Sequence, residues 1–356
     1  MAAGRCSYPC TIFERPAASA AKEFLMAAFG TEFADQFVTC RYADGAWQPH
    51  QLEPLAPIPL HPAAHVLHYA STCFEGFKAY KWADGLARVF RLDDHVKRMQ
   101  ASARSLHLPE PATETLRSMV FDVVNAAHAL IPDPPGALYL RPTLIGLTPN
   151  IGAAAAPASE ALLYVLASPV GDYFAGGVRP LKILIDDTRH RTAEHLGSTK
   201  TGGNYAAALG PTLAAKAAYG VDQVLFCPNG DVQETGAANF MLIDEAKLTT
   251  KPLDASFLHG VTRASILTLA RDRGLEVDER EFTVAELLDA VERREAALSG
   301  TAACLTPVGT LVYQGREISV GDGQLGPATT ALRAALCAIH DGSAADTHNW
   351  LTLVEA

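Results

Sequence analysis

The chain has 356 residues, of which 49% are hydrophobic and 19% are charged, and its formal net charge is −10. This length favours two domains over a single core, and this composition is typical of a globular protein and not of a disordered one. The negative charge argues against nucleic acid or an anionic membrane surface as the main partner.

The pattern of apolar residues and cysteines bears on the compartment. Pro, Gly or charged residues interrupt every apolar run before it could span a bilayer, and the N-terminal segment lacks the basic and apolar regions of a secretory signal. The seven cysteines are scattered and contain no Cys-x-x-Cys pair, so they do not predict a disulfide framework. We therefore expect a cytoplasmic protein with no membrane partner.

The first half of the chain alternates strand and helix signals. Residues 36–51 predict a hairpin, and the aromatic-rich segment 65–80 ends in a strand that pairs with Ala87–Phe90 across an Asp-Gly turn. Asp93 or Asp94 is predicted to cap the next helix. Arg98 lies nearly opposite the apolar stripe of that helix, so a solvated arginine and a phosphate-binding arginine are both open interpretations.

The domain division follows from a Pro/Gly-rich segment. A helix over 112–130 and strands over 137–141 and 161–167 precede this segment, which covers 168–178. The sequence predicts a small N-terminal domain over 1–167, a linker over 168–178 and a larger C-terminal domain over 179–356.

The second half again mixes strands and helices. Thr283 and Glu286 form a capping box, which predicts a helix start and no more. The predicted strands cover 181–185, 223–226, 233–243 and 297–307, and the predicted helices cover 205–219, 266–273 and 327–340. The sequence thus predicts an α/β fold with two domains.

One lysine stands in an unusual setting. Lys200 lies among small residues in the segment Gly197–Tyr205, before a predicted helix. Small residues let backbone approach closely, and a lysine that loses its hydration there can act as a nucleophile toward a carbonyl. An exposed lysine in a Gly-rich turn is the alternative. A Walker A phosphate loop is excluded because Gly-Lys-Ser/Thr does not occur.

Three further features are consistent with one kind of ligand. Glu234 is an acid among small and apolar residues, although an exposed edge position would also explain it. Gly260 and Thr262 begin a helix whose free N–H groups can hold an anion, with a helix N-cap as the alternative for Thr262. Gly300 and Thr301 offer a second such turn. A reactive amine, a buried acid and two phosphate turns together fit an aldehyde-bearing, phosphorylated, pyridine-like cofactor.

The sequence resembles the branched-chain amino-acid aminotransferases, which are fold type IV pyridoxal-phosphate enzymes of the class IV aminotransferases. The resemblance runs from about residue 36 to the end and rests on seven ordered motifs. They are Leu67–Gly76, His95–Met99, Tyr139–Pro142, Lys200–Tyr205, Glu234–Asn239, Gly260–Arg263 and Ser299–Ala303.

The resemblance implies roles for the cofactor-binding residues. Lys200 is implied to be the catalytic residue that binds the aldehyde of pyridoxal 5′-phosphate and moves a proton on the substrate. Glu234 is implied to pair with the pyridine nitrogen and Tyr205 with the phenolic oxygen. The implied phosphate ligands are Arg98, the N–H groups of Val261 and Thr262, and Thr301.

The resemblance also implies the substrate site. The turn of Thr301, Ala302 and Ala303 is implied to bind the substrate α-carboxylate, and Arg141 is implied to receive the second carboxylate of glutamate. An apolar side-chain pocket is implied for Tyr69, Phe74, Tyr139 and Tyr173. The implied reaction moves the amino group of L-leucine, L-isoleucine or L-valine to 2-oxoglutarate.

The sequence departs from the family pattern at three places. The segment Arg189–Gly197 differs from the usual Gly-rich loop, so the arginine that matches the family is open. Ala303 and Thr306 stand where mammalian members carry a Cys-x-x-Cys pair, so we predict no such thiol switch. Asp172 replaces a common proline in the interdomain loop.

Other functions compete with this one. A D-amino-acid aminotransferase and an aminodeoxychorismate lyase share the fold, and a cofactor-free binding protein is an alternative of another class. A metal site at His61, His65 and His68 is not expected, because no acidic or thiolate companion is evident. The resemblance also implies a homodimer.

Overall fold

The computed structural model describes residues 29–152, 154–171 and 177–355. Two nine-stranded sheets organise these residues, and helices pack on each sheet, two of them in contact with both. No helix within the described ranges has the length and apolar character needed to cross a membrane.

The strands, in chain order, are β1 (Gln36–Ala43), β2 (Ala46–Trp47), β3 (Gln51–Pro54), β4 (Thr72–Phe74), β5 (Phe77–Lys81), β6 (Ala87–Phe90), β7 (Ala137–Gly146), β8 (Ala161–Val170), β9 (Leu181–Asp186), β10 (Gln223–Phe226), β11 (Glu234–Thr235), β12 (Asn239–Ile243), β13 (Lys247–Thr250), β14 (Glu276–Glu279), β15 (Glu295–Gly300), β16 (Cys304–Tyr313), β17 (Arg316–Ser319) and β18 (Leu351–Leu353). The α-helices are α1 (His65–Tyr69), α2 (Leu92–Ser105), α3 (Thr113–Ala126), α4 (Gly202–Tyr219), α5 (Val261–Asp272), α6 (Val284–Ala290) and α7 (Pro327–Asp341).

The first sheet has the order β18-β6-β5-β7-β8-β1-β2, with β3 on β1 and β4 on β7. Helix α3 packs on it through β1 and β8, and α2 packs on α3. Val96 and Met99 of α2 are buried in this core, as their helical spacing predicts. The predicted cap of α2 is wrong, because the helix begins at Leu92 and Asp93 and Asp94 lie inside its first turn.

The second sheet has the order β11-β10-β9-β16-β15-β12-β13-β14, with β17 on β16. It is mixed, because β9 runs parallel to both β10 and β16. The predicted strand 233–243 is interrupted between β11 and β12, because the chain turns back so that Thr235 N donates to Ala238 O at 2.9 Å. That turn places Glu234 of β11 opposite Asn239 of β12.

Several local predictions are confirmed. The hairpin of β1 and β2 turns through Asp44 and Gly45, both with positive φ (53° and 79°), as a two-residue hairpin turn requires. Thr283 and Glu286 form the predicted capping box at α6.

The domain division stays a prediction, but two of its details differ from the observed elements. Strand β8 continues to Val170, so the first three residues of the predicted linker belong to a strand. Strand β18 pairs with β6, so the end of the chain returns to the first sheet. The remaining linker positions 172–176 lie outside the described residues.

Candidate active site

A cavity of about 220 Å³ lies where the two sheets face each other. Its lining contains most of the site residues that the sequence predicted. Those that line it are Phe74, Arg98, Tyr139, Arg141, Lys200, Tyr205, Glu234, Val261, Thr262, Thr301 and Ala302.

Lys200 is fixed by its backbone and presents its amine to this cavity. Its N–H donates to Ser102 Oγ at 3.0 Å, and its carbonyl accepts from Phe74 N at 3.0 Å. Its Nζ donates to Tyr205 Oη at 2.7 Å. The amine also lies 4.9 Å from the centroid of the Phe74 ring. The alternative of an exposed lysine in a turn is therefore wrong.

The shape of the segment before Lys200 depends on close backbone packing. A Cβ at Gly197 would lie 2.0 Å from the carbonyl carbon of Ser256, so only glycine fits there. Asn204 Nδ2 donates to the carbonyls of Leu196 and Thr199 at 2.8 and 2.9 Å. These contacts hold the lysine loop against α4 from one side and against Ser256 from the other.

Glu234 is the buried acid of the site, with an exposed fraction of 3%. Its Oε1 accepts from Leu258 N at 2.8 Å and its Oε2 accepts from Asn239 Nδ2 at 3.1 Å. Burial raises the pKa of Glu234 from 4.5 to about 7, although the charge of Arg191 opposes that rise. The alternative of an exposed edge residue is wrong.

Arg191 is a site residue that the sequence analysis did not identify. Its Nε lies 2.8 Å from Glu234 Oε1, and both side chains are buried. Its Nη2 donates to Gly197 O at 2.9 Å. The altered segment 189–197 therefore still supplies an arginine, which joins the buried acid to the lysine loop. The sequence offers two arginines in this segment, Arg189 and Arg191, and their spacing alone does not show which of them reaches the site.

The first turn of α5 lies at the cavity, where the sequence predicts an anion site. Gly260 is the N-cap and Val261 is the first helical residue, so the predicted alternative of Thr262 as N-cap is wrong. A Cβ at Gly260 would lie 2.0 Å from Asn239 Oδ1. Thr301 follows β15 and lines the same cavity. Helix N-termini attract anions because their N–H groups lack intrahelical partners.

Arg98 reaches the cavity from α2 and is held by a carboxylate that the sequence analysis missed. Its Nε and Nη2 donate to the two oxygens of Glu75 at 2.7 and 2.8 Å, and its Nη1 donates to His259 O at 3.0 Å. Its Nη2 also contacts His95 Nδ1 at 3.4 Å, so of the five N–H donors that an arginine carries, one on Nη1 remains for an anion among the described contacts. The alternative of a solvated arginine is wrong.

Glu75 joins Arg98 to His95 in the interior. Its side chain is fully buried, and His95 Nδ1 lies 2.8 Å from Oε2. Burial would raise the pKa of Glu75, but the charge of Arg98 and the hydrogen bonds with Arg98 and His95 outweigh burial and hold it well below its usual range. The sequence could have drawn attention to Glu75, because it is an acid inside the aromatic segment 65–80.

An arginine and two aromatic rings line the remaining wall. The Arg141 guanidinium lies 4.8 Å from the centroid of the Phe74 ring, and its Nη2 donates to Tyr139 Oη at 2.9 Å. Within the described residues, its buried Nε has no hydrogen-bond partner. A Cβ at Gly76 would lie 1.9 Å from Tyr139 Oη, so Gly76 leaves the space that the tyrosine fills.

Three predicted pocket residues are not found in this wall. Tyr69 ends α1 and its hydroxyl donates to Ile151 O, so it faces the neighbouring loop and does not line the cavity. Ala303 lies behind the cavity, where its carbonyl accepts from Arg333. Tyr173 lies outside the described residues. Phe29, which was not predicted, lines the cavity beside Tyr139, with ring centroids 4.9 Å apart.

The three histidines weighed as metal ligands have local partners. His65 Nδ1 lies 2.9 Å from Ser71 Oγ, His68 Nε2 lies 2.9 Å from Pro62 O, and His61 Nδ1 accepts from Ala63 N at 3.0 Å. Their rings are therefore engaged in separate hydrogen bonds.

Comparisons with known proteins agree with this geometry. Residues 72–311 match the family model described as amino-transferase class IV. A Streptomyces coelicolor protein called a probable branched-chain-amino-acid aminotransferase is 40% identical over 333 residues, which cover 91% of each chain.

Two solved structures of branched-chain aminotransferases are also similar. The T.th. enzyme with pyridoxamine 5′-phosphate has a TM-score of 0.75 at 28% identity, and the match covers 91% of this chain and 100% of that one. The Thermoproteus uzoniensis enzyme with norvaline has a TM-score of 0.72 at 27% identity, with coverage of 89% and 100%.

Proposed function

Because the chain belongs to the class IV aminotransferases, and within them to the branched-chain amino-acid aminotransferases, we propose that its cavity binds pyridoxal 5′-phosphate. The reaction moves the amino group of L-leucine, L-isoleucine or L-valine to 2-oxoglutarate, giving a branched-chain 2-oxo acid and L-glutamate. The observation that carries this proposal is the joint placement of Lys200, Glu234 and Arg98 around one cavity.

The chemistry of the cavity fits this cofactor. An amine, a buried carboxylate and an arginine beside a helix N-terminus match an aldehyde, a pyridine nitrogen and a phosphate. Ser299 Oγ and Arg141 Nε are buried in the lining with no hydrogen-bond partner among the described residues, so the lining retains polar atoms for a ligand. When bound, the cofactor supplies an electron-accepting ring.

The contacts of the cavity residues support a role for each of them. Lys200 Nζ, oriented by Tyr205, takes the proton from the substrate Cα and returns it. Glu234 is held by Asn239 and Leu258 and would pair with the ring nitrogen. The remaining Nη1 N–H of Arg98 and the N–H groups of Val261 and Thr262 would hold the phosphate.

The substrate half of the cavity accounts for two kinds of amino acid. Phe74 and Tyr139 offer apolar surface to a branched side chain, and Arg141 beside them offers positive charge to the second carboxylate of glutamate. Thr301 and Ala302 offer backbone donors to the α-carboxylate. A single arginine at the edge of an apolar pocket lets one site accept both classes.

Replacement of Lys200 tests the proposed chemistry. Lys200→Ala should reduce the transfer of the amino group from L-leucine to 2-oxoglutarate by at least about 10⁴-fold, because the proton carrier is lost. Lys216→Ala is the matched control, since Lys216 is an exposed lysine of α4. Undiminished turnover by Lys200→Ala would refute the role of the lysine.

A homodimer is also proposed. Leu209 and Leu213 of α4 are 57% and 56% exposed, and contact with a second copy would cover these apolar side chains. Sedimentation should give twice the chain mass of 37.9 kDa, and a species of single mass would contradict the proposal.

The location in the cytoplasm stays a proposal. The described cysteines, Cys40, Cys73, Cys227, Cys304 and Cys337, are all free thiols, which supports a reducing compartment.

A further inference from the structure

Two cysteines and a histidine meet behind the cavity, outside the site described above. Cys304 begins β16, and Cys337 and His340 lie on one face of α7 at the spacing i, i+3. Their two Sγ atoms and one imidazole nitrogen all lie within 4.8 Å of one another. Neither sulfur lines the cavity that holds Lys200.

His340 lacks the hydrogen bonds that a buried imidazole usually makes. The residue is 7% exposed, and in the part of the chain that the structure describes its Nε2 has no hydrogen-bond partner. Its Nδ1 contacts Cys304 Sγ at 3.9 Å, which is a weak contact. The ring is held in place by Tyr80, stacked on it at 4.5 Å between centroids. Nδ1 is the ring nitrogen available to an ion at the two sulfurs, because it is the one that faces Cys304.

The thiolate form is favoured at Cys304, whereas the hydrogen bond to Cys304 and burial raise the pKa of Cys337. An ion bound by both sulfurs therefore displaces the proton of Cys337. The pKa of Cys304 lies below its usual value because the Cys337 thiol donates to it, and His340 and Lys78 add to the effect. The thiolate, and not the thiol, is the form of cysteine that binds metal ions. Cys337 is only half-buried, which gives an ion a path from solvent.

We propose that Cys304, Cys337 and His340 bind one Zn²⁺ ion. Two thiolates and an imidazole are a donor set that zinc favours. Around a tetrahedral zinc ion these donor atoms lie about 3.5–3.8 Å apart, so adjustments of about 1 Å would bring the present cluster to that geometry. Water reaching the cluster past Cys337 completes the coordination.

The position of the ion gives it a structural role. Arg333 of α7 already donates to Leu305 O at 2.9 Å, and Lys78 donates to Ala302 O at 3.0 Å. An ion bound to Cys304, Cys337 and His340 adds a further link between α7 and β16, directly after the turn that carries the cavity residues Thr301 and Ala302. This site stands independently of the proposed transaminase reaction, since its ligands touch neither Lys200 nor Glu234.

The test is a titration of the reduced holoenzyme with Co²⁺, a spectroscopic substitute for Zn²⁺. We expect one Co²⁺ to bind per chain. It should give thiolate-to-cobalt charge-transfer bands and, at wavelengths longer than the absorption of the cofactor, d–d bands. Added Zn²⁺ should remove these bands. Cys337→Ser and His340→Gln should each retain less than about a tenth of the band intensity, because one of three protein ligands is lost.

Cys40→Ser is the matched control. Cys40 is buried and its thiol donates to Gln48 O at 3.1 Å, a bond that serine keeps, so its cobalt spectrum should equal that of the unmodified chain. Three results would overturn the proposal: no cobalt band, a band that Cys337→Ser retains, or a thiol count in reductant showing that Cys304 and Cys337 form a disulfide.

Discussion

At the scale of single residues, the surroundings shift the pKa values of two buried carboxylates in opposite directions. Glu75 is surrounded by the positive charge of Arg98 and stays ionised, whereas Glu234 is so deeply buried that its pKa rises to about 7. The same residue type therefore serves as a fixed anchor in one place and as a titrating group in the other. Both carboxylates depend on an arginine for their position.

Arg141 should separate the two substrates. Arg141→Met should raise the KM for glutamate on the order of 10- to 100-fold, because a hydrogen bond to a charged group is lost, while the KM for leucine changes by less than about threefold. Steady-state kinetics with each amino acid measure this. Arg293→Met, at an exposed pair with Asp289, is the control. Equal increases for both substrates would contradict the assignment.

Glu234 should make the stability of the cofactor-free protein depend on pH. Its pKa is about 7 in the folded chain and 4.5 without the fold, so between these values the folded state binds more protons than the unfolded state. The contribution of Glu234 to the free energy of unfolding is therefore full below about pH 4.5 and is lost as the pH rises through about 7.

The comparison with Glu234→Gln isolates this effect, because glutamine does not titrate. Urea unfolding at several pH values should show the cofactor-free unmodified protein losing stability relative to the variant as the pH rises across that window. Parallel stability curves for the two proteins would refute the assignment.

At the scale of elements, the site collects side chains from helices, from strands and from the loops between them. Helix α2 brings both His95 and Arg98 to Glu75, which lies between β4 and β5. The turn between β11 and β12 moves Glu234 toward Asn239 and the start of α5. Tyr139 and Arg141 lie inside β7, so the site depends on the packing of whole elements as well as on the turns between them.

Among these contacts, we expect the loss of the Glu75 carboxylate to reduce the free energy of unfolding most. Glu75→Gln leaves Arg98 and His95 without a buried counter-charge, so the free energy of unfolding should fall by about 3 kcal/mol. Glu53→Gln is the control: Glu53 is half-buried and accepts from Thr39 Oγ1 at 2.8 Å, a bond that glutamine keeps, and we expect a change below about 0.5 kcal/mol. Chemical unfolding of both variants measures the difference, and equal losses would contradict the importance of this buried cluster.

At the scale of the whole molecule, sequence patterns predicted elements better than contacts between them. The hairpin at Asp44 and Gly45 and the capping box at Thr283 and Glu286 were predictable because each depends on neighbours in the chain. The motifs also placed Lys200, Glu234 and Arg98 in one site.

Contacts between distant residues were not predictable from local patterns. The pairing of Arg191 with Glu234 joins two segments far apart in the chain, and local spacing cannot decide between Arg189 and Arg191. The placement of Tyr69 failed because its side chain faces the loop at Ile151. The cluster of Cys304 with Cys337 and His340 was missed since it forms only when α7 packs behind β16.

The central claim is that this cavity holds pyridoxal 5′-phosphate on Lys200 and exchanges amino groups with branched-chain L-amino acids. The most direct test is the visible absorption spectrum of the purified protein with the cofactor, recorded before and after addition of L-leucine. The account predicts a yellow protein whose band fades with L-leucine and not with D-alanine. A band that fades with D-alanine alone would contradict the substrate assignment, and a protein that gains no band from added pyridoxal phosphate would contradict the cofactor itself.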